Sequence, residues 1–193
     1  MIQLINIIAI ALAACCVMIL HEFTKAVVYV AASGHGSMKL QKDMFKLDRY
    51  VDPVGFIFFL TCNAGFSRPY SYTLKSKKSN FAIGLSGFGI MFLTALISCY
   101  LYQTTAAPFA SLKIFNYYMA VFSVALFVVN LVPIITSDMA LIVLALSPGR
   151  LITLMKNEAL IKGLLILLII FGAVQAATAY GINLISSIVK AVV

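Results

Sequence analysis

Charge is what this chain has least of. Lys, Arg, Asp and Glu together make up 10% of its 193 residues, and only six of those residues are acids. A soluble domain carries about 25% charged and about 45–50% apolar residues, whereas here the apolar share is 63% and the mean hydropathy +1.05. That composition excludes an ordinary soluble domain and leaves no room for an appended one. Metal-type CxxC spacing is missing too. Cys15, Cys16, Cys62 and Cys99 all lie in apolar segments, where they read as small buried hydrophobes and not as a disulfide framework. Internal repeats and low-complexity tracts are absent. The net charge of +8 sits in loops between apolar runs, so it speaks of membrane topology; no nucleic-acid partner is expected.

The long apolar runs define the expected architecture. Several exceed the roughly 18–20 residues needed to cross a hydrocarbon core. The expectation is an all-α polytopic membrane protein, one membrane domain over 1–193, with about four transmembrane helices plus a re-entrant or interfacial segment. The first helix covers about Ile2 to Ala32, too long and too polar at its centre for a cleaved signal peptide. Val51 to Phe66 is only about 16 residues long and is interrupted by Pro53, Gly55, Asn63 and Gly65, so it reads as re-entrant or interfacial. Further spans are expected at Phe81 to Gln103 and about Ile114 to Ile135. A shorter apolar stretch, Met139 to Leu146, and a break at Pro148-Gly149 precede an extra C-terminal transmembrane helix at about 160–185.

Lys and Arg accumulate in cytoplasmic loops. If Val51 to Phe66 dips in and returns, eleven of them, from Lys39 to Lys78 and from Arg150 to Lys162, share one side against Lys113 and Lys190 on the other, with Lys25 at membrane depth. The expectation is an integral, multi-pass protein with its basic loops in the cytoplasm.

Ionisable residues at membrane depth are costly and usually mark function. Here they are His21, Glu22, Lys25 and Asp138. His21-Glu22-Phe23-Thr24-Lys25 is the His-Glu-x-x-His helix motif with lysine at the second histidine. In the intact motif two imidazoles at i and i+4 hold Zn²⁺ on one helix face, and the glutamate is the general base for metal-bound water. Asp138 follows Asn130 and Pro133, and a proline at that place loosens the helix ahead of the carboxylate.

The order of these motifs resembles the site-2 protease family of intramembrane zinc metalloproteases, in its small form without accessory domains. His21-Glu22 matches the first half of that family's metal motif. Asn130, Pro133 and Asp138 match its Asn-x-x-Pro segment and third-ligand aspartate. Between them Asp52-Pro53-Val54-Gly55 looks like its Asp-Pro-x-Gly stretch, Ser67-Arg68-Pro69-Tyr70 resembles its Ala-Lys-Pro-Val element, and Ser86-Gly87-Phe88 stands where it has Ala-Gly-Pro. The resemblance covers about 10–150, which would be a protease-like core. It implies a bundle in which the first helix packs against the helix ending near Asp138, with the re-entrant element close to the site. By this resemblance Glu22 is the remnant general base, His21 and Asp138 are remnant metal ligands, and Asn130 and Pro133 support the site.

The departures are systematic. Lys25 replaces the second histidine, Ser137-Asp138-Met139 replaces Leu-Asp-Gly, and Phe88 replaces proline. Two protein ligands are fewer than catalytic zinc takes, and His35, beyond the Gly34 break, reads as a loop residue. A lysine ammonium one turn below His21 repels a dication in a low-dielectric setting. Lys25 is instead expected to pair with Glu22 at i,i+3 and with Asp138 across a helix interface. The tally of Glu22, Asp138 and Lys25 leaves one negative charge over, which a protonated His21 or a neutral acid would remove.

These residues argue against enzymatic activity. They favour a catalytically inactive site-2-protease-like membrane protein that binds a membrane partner or transmembrane helix, holds no cofactor and sits in the lipid bilayer. Small residues Gly84, Ser86, Gly87 and Gly89 permit close helix approach, more readily inside the bundle than toward a partner. Two alternatives stand beside this reading. One is an active intramembrane zinc metalloprotease cleaving transmembrane segments; the other is a structural subunit of a larger membrane complex.

Overall fold

The computed structural model describes residues 2–32, 42–70, 76–106 and 109–191. His35 and Lys75, with the Gly34 and Gly36 break, lie outside the described residues. Among the described residues the secondary structure is helical throughout. α1 covers Ile2–Ala32, followed by a 3₁₀ turn at Leu47–Tyr50 and a short helix, α2, at Pro53–Cys62. α3 is Lys77–Thr104, α4 Ala110–Asn130 and α5 Asp138–Leu146, and α6 (Leu151–Ile170) and α7 (Ala173–Lys190) complete the chain.

Local chemistry sets these boundaries. The Asp52 side chain accepts from the backbone N–H groups of Val54 and Gly55, and Pro53 supplies a preset φ at the first position of α2. Asn63, in the left-handed region at φ 53°, ends that helix after ten residues. Ser76 caps α3 through Ser79 N–H, and Ser137 caps α5 through Ala140 N–H. α4 stops at Asn130, five residues short of the Ile135 end expected from the apolar run. Pro133 therefore lies in the loop beyond the helix and does not loosen a continuous one, because it has no N–H to extend the ladder.

The C-terminal apolar run is broken as well. The single helix expected at about 160–185 is two, α6 and α7, bent by 67° at Phe171-Gly172. Gly172 has φ 79°, a conformation a residue with a Cβ adopts only at a cost. Among the described residues three helices, α1, α3 and α4, are long and apolar enough to cross a membrane, or four if α6 and α7 form one bent span.

α1, α3 and α4 pack on one another, α5 lies against α3, and α7 covers α4 and α3. The main core is built where they meet. Ala13, Ala14, Val17 and Met18 of α1 face Met91 of α3 and Phe122, Ala125 and Leu126 of α4. α2 plugs this core with Phe59, whose ring lies 4.8 Å from that of Phe122. The chain after Asn63 then folds back onto α2. A Cβ on Gly55 would lie 1.9 Å from the Phe66 carbonyl oxygen, so only glycine lets the returning segment pass so close. The return ends where the segment began, with Arg68 N–H donating to Tyr50 C=O at 3.0 Å. Tyr50 is itself anchored by its hydroxyl, which donates to Met44 C=O at 2.6 Å; burial, with Tyr70 and Glu22 adding to it, pushes this phenol up and keeps it a donor.

The distribution of polarity is the reverse of a soluble protein's. His21, Glu22, Lys25, Asn116, Ser123 and Asp138 are buried, while Leu146 is 71% exposed, Leu160 70% and Phe171 81%. Exposed large apolar side chains in such number are rare on soluble monomers. All four cysteines are free.

Candidate functional site

The buried charges form one cluster. α1 supplies three of them, His21, Glu22 and Lys25, on the turn and a half that faces α3 and α5. α5 supplies Asp138 from its first turn, and the returning segment after α2 supplies Ser67 and Tyr70. Asp138 reaches α1 because α3 carries glycine where the carboxylate passes: a Cβ on Gly87 would lie 2.3 Å from Asp138 Oδ2, and one on Gly84 2.6 Å from the Asp138 carbonyl oxygen. These two small residues are used inside the bundle. Ser86 Oγ is likewise turned inward on its own helix, donating to Ile83 C=O, while Gly89 faces open space.

Lys25 Nζ lies 2.7 Å from Asp138 Oδ1 and 3.4 Å from Glu22 Oε1, and it donates to Thr136 C=O at 3.2 Å. An ammonium has three hydrogens; Glu22 Oε1 and the Thr136 carbonyl each receive one, and Asp138 Oδ1 stands beside the charge as an ion-pair partner. Thr136 presents its carbonyl from φ 78°, a left-handed conformation that is an outlier for a β-branched residue. The loop between α4 and α5 is thus held in an unfavourable shape at the point where it meets the ammonium. Asn130 steadies that loop by donating to Leu126 C=O at 2.9 Å and accepting from Asp138 N–H at 3.4 Å.

His21 stands between the two acids. Its Nε2 is 2.8 Å from Asp138 Oδ2, and its Nδ1 is 3.0 Å from Glu22 Oε1 and 3.2 Å from Ser67 Oγ. Carboxylate oxygens only accept, so a hydrogen on each ring nitrogen satisfies both contacts. The cluster then holds two acids against two cations, which removes the excess negative charge in the sequence tally. Glu22 is completed by Ser67 Oγ, which donates to Oε1 at 3.0 Å, and by Tyr70 N–H, which donates to Oε2 at 3.2 Å.

Ser67, His21 and Asp138 line up in the order of a nucleophile, base and orienting acid. Glu22 Oε1 defeats that arrangement, because the one hydrogen of the Ser67 hydroxyl is donated to it and not to the His21 ring. The cluster reads as a closed ion network and not as an activated nucleophile.

A cavity of 390 Å³ opens beside it. Glu22, Ser67, Asn130 and Thr136 form its polar wall, and Phe66, Ile134, Ile135 and Leu165 its apolar one. The Glu158–Lys162 pair of α6, 2.6 Å between charged atoms, also lines it.

All six sequence-derived site residues except Pro133 take part in these contacts: His21, Glu22, Lys25 and Asp138 as the ion network, Asn130 as its support. Three participants were not assigned from sequence. Ser67 and Tyr70 stand in the Ser-Arg-Pro-Tyr element already singled out, but their contact with Glu22 depends on the chain returning over α2. Thr136 acts through its carbonyl, which has no sequence signature. Comparison with known protein families, with curated proteins and with solved structures finds no match.

Proposed function

We propose that this chain is an integral, multi-pass membrane protein of site-2-protease-like organisation whose metal centre has been replaced by an internal ion network, and that it works by binding another membrane protein or transmembrane helix. One observation carries the reading: Lys25 Nζ lies 2.7 Å from the Asp138 carboxylate, where the resemblance calls for a ligand histidine and a metal between them. The donor set fits zinc poorly. Catalytic zinc takes three protein ligands and an open position, and this site offers His21 and Asp138 to a metal beside a resident cation. Glu22 is turned to Lys25, Ser67 and Tyr70, so it is occupied as an acceptor and not poised as a base.

Membrane insertion is supported by the apolar exterior and by three or four helices of spanning length. Partner binding is supported by the cavity, which α6 helps to line and which pairs apolar with polar side chains, the surface a partly unwound helix needs. Two measurements test the proposal. Metal analysis of the purified protein is expected to find no stoichiometric zinc. A photo-crosslinker at Ile166, in the cavity wall, is expected to capture a membrane protein. About one zinc per chain would overturn the proposal in favour of an active metalloprotease, a reading that rests on His21, Glu22 and Asp138 lying in one cluster. A clean monomer with no crosslinked partner would remove the binding role.

A further inference from the structure

The site just described leaves a second concavity unexplained, at the opposite end of the bundle. It lies where the first turns of α1, the end of α3 and the start of α4 come together, has a volume of 510 Å³, and is lined by Asn6, Ile10, Tyr102, Lys113, Tyr117 and Tyr118 among others. We infer that this groove binds the phosphate head group of an anionic glycerophospholipid. The inference rests on the membrane-spanning reading above.

The argument starts from Lys113. Its ammonium lies 5.2 Å from the centroid of the Tyr102 ring, a cation–π contact that fixes a flexible side chain in one place. Tyr117 continues the aromatic wall, 5.5 Å from Tyr102 and edge-on to Tyr118 at 5.2 Å. A wall of tyrosines at one end of spanning helices is where head groups are met, because each ring is apolar and its hydroxyl polar. Among the described residues Lys113 is the one charged side chain lining the groove, and no acid lines it. The hydroxyls of Tyr102, Tyr117 and Tyr118 take no protein partner among the described residues. One cation and several neutral donors around an empty centre are complementary to a phosphate.

Ile10 distinguishes a lipid from free phosphate. It makes the floor of the groove apolar and continues into the exposed face of α1, where Ile7 is 58% exposed. An inorganic ion gains nothing from that floor, whereas an acyl chain does. Lys113 is also, beside Lys190, one of two basic residues expected on this side of the bundle. Eleven of the fourteen Lys and Arg residues belong to the other side, and Lys113 is held by a ring where a topological charge would be free in solvent.

The test uses the full chain in mild detergent, stripped of endogenous lipid and given phosphatidylglycerol or phosphatidylcholine at equal concentration, with retained lipid per chain read by native mass spectrometry. Phosphatidylglycerol is expected to be retained about tenfold more strongly, the factor that about 1.4 kcal/mol of charge-assisted bonding produces. Lys113→Gln should abolish the preference and Lys113→Arg should keep it, the latter showing that loss in the former is not misfolding. Equal retention of the two lipids, or an undiminished preference in Lys113→Gln, would overturn the inference. Alkaline carbonate extraction of the unmodified protein separates the two levels. A protein that stays with the membrane yet shows no preference refutes the lipid site alone, whereas a protein released by carbonate refutes the spanning reading and the lipid site with it.

Discussion

At the scale of single residues the proposal turns on Lys25, which stands where the resemblance has a ligand histidine. A lysine amine and a zinc-bound imidazole reach the same neighbourhood by different chemistry. The imidazole needs a metal to bridge it to Asp138, whereas the ammonium forms an ion pair with Asp138 at 2.7 Å and supplies the positive charge itself. Removing that charge while keeping the volume, as in Lys25→Met, leaves Glu22 and Asp138 with only His21 as counter-cation. Breaking a buried ion pair by deleting one partner costs about 3–5 kcal/mol, and a loss of that size is expected in detergent unfolding of the variant. Lys25→His is the informative companion. It restores a three-ligand set, so zinc uptake measured by metal analysis should rise toward one per chain. It need not restore proteolysis, because Ser137 and Met139 still flank Asp138 differently from the family pattern. A Lys25→Met protein as stable as its parent would show that the ammonium is not what balances the acids.

At the scale of elements, the site depends on two close approaches that only small residues allow. α3 lets the Asp138 carboxylate past at Gly87, and α2 lets its own return segment past at Gly55. Gly87→Ala places a methyl 2.3 Å from Asp138 Oδ2, so the carboxylate or the helix must move. Overpacking of this kind costs about 1–3 kcal/mol, and here it also lengthens the bonds from Asp138 to His21 and Lys25. The expected outcome is a lowered melting temperature, with a smaller further loss when Asp138 is already cut back to Ala and no carboxylate is left to displace; strict additivity of the two changes would show that Gly87 acts independently of the carboxylate. How much of this was legible beforehand divides along the same line. The i,i+3 spacing of Glu22 and Lys25 follows from helix geometry, whereas Asn130, Pro133 and Asp138, expected at one helix, belong to the end of α4, a loop and the start of α5. The contacts of Ser67 and Tyr70 did not follow, because they need the chain to turn at Asn63 and retrace α2, a tertiary event with no period in the sequence. The break between α6 and α7 was missed for another reason. Leu164 to Val174 is apolar throughout except for one glycine, and hydrophobicity carries no sign of a bend when both arms are equally apolar.

At the scale of the whole molecule the proposal raises the question of how the polypeptide would thread a bilayer, and the hairpin around α2 bears on it most. Ten helical residues span about 15 Å at 1.5 Å each, half of a hydrocarbon core of about 30 Å. The hydrogen bond from Arg68 N–H to Tyr50 C=O ties the two ends of the segment together, so entry and exit lie on one face of the bundle. The proposed topology follows: the loop after α1, the segment before α3 and the start of α6 all lie on the side that holds the excess of Lys and Arg, and the groove at Lys113 lies on the other. A cysteine at Lys78, on a background in which the four native cysteines are replaced by alanine, should react with a membrane-impermeant maleimide only after the membrane is opened or from the cytoplasmic side of inverted vesicles. A cysteine placed at Ser111, near the start of α4, should show the opposite pattern. Labelling of both positions from the same side would mean that α3 does not cross. Labelling of Lys78→Cys from outside intact cells would invert the charge argument and place the ion network's cavity toward the exterior.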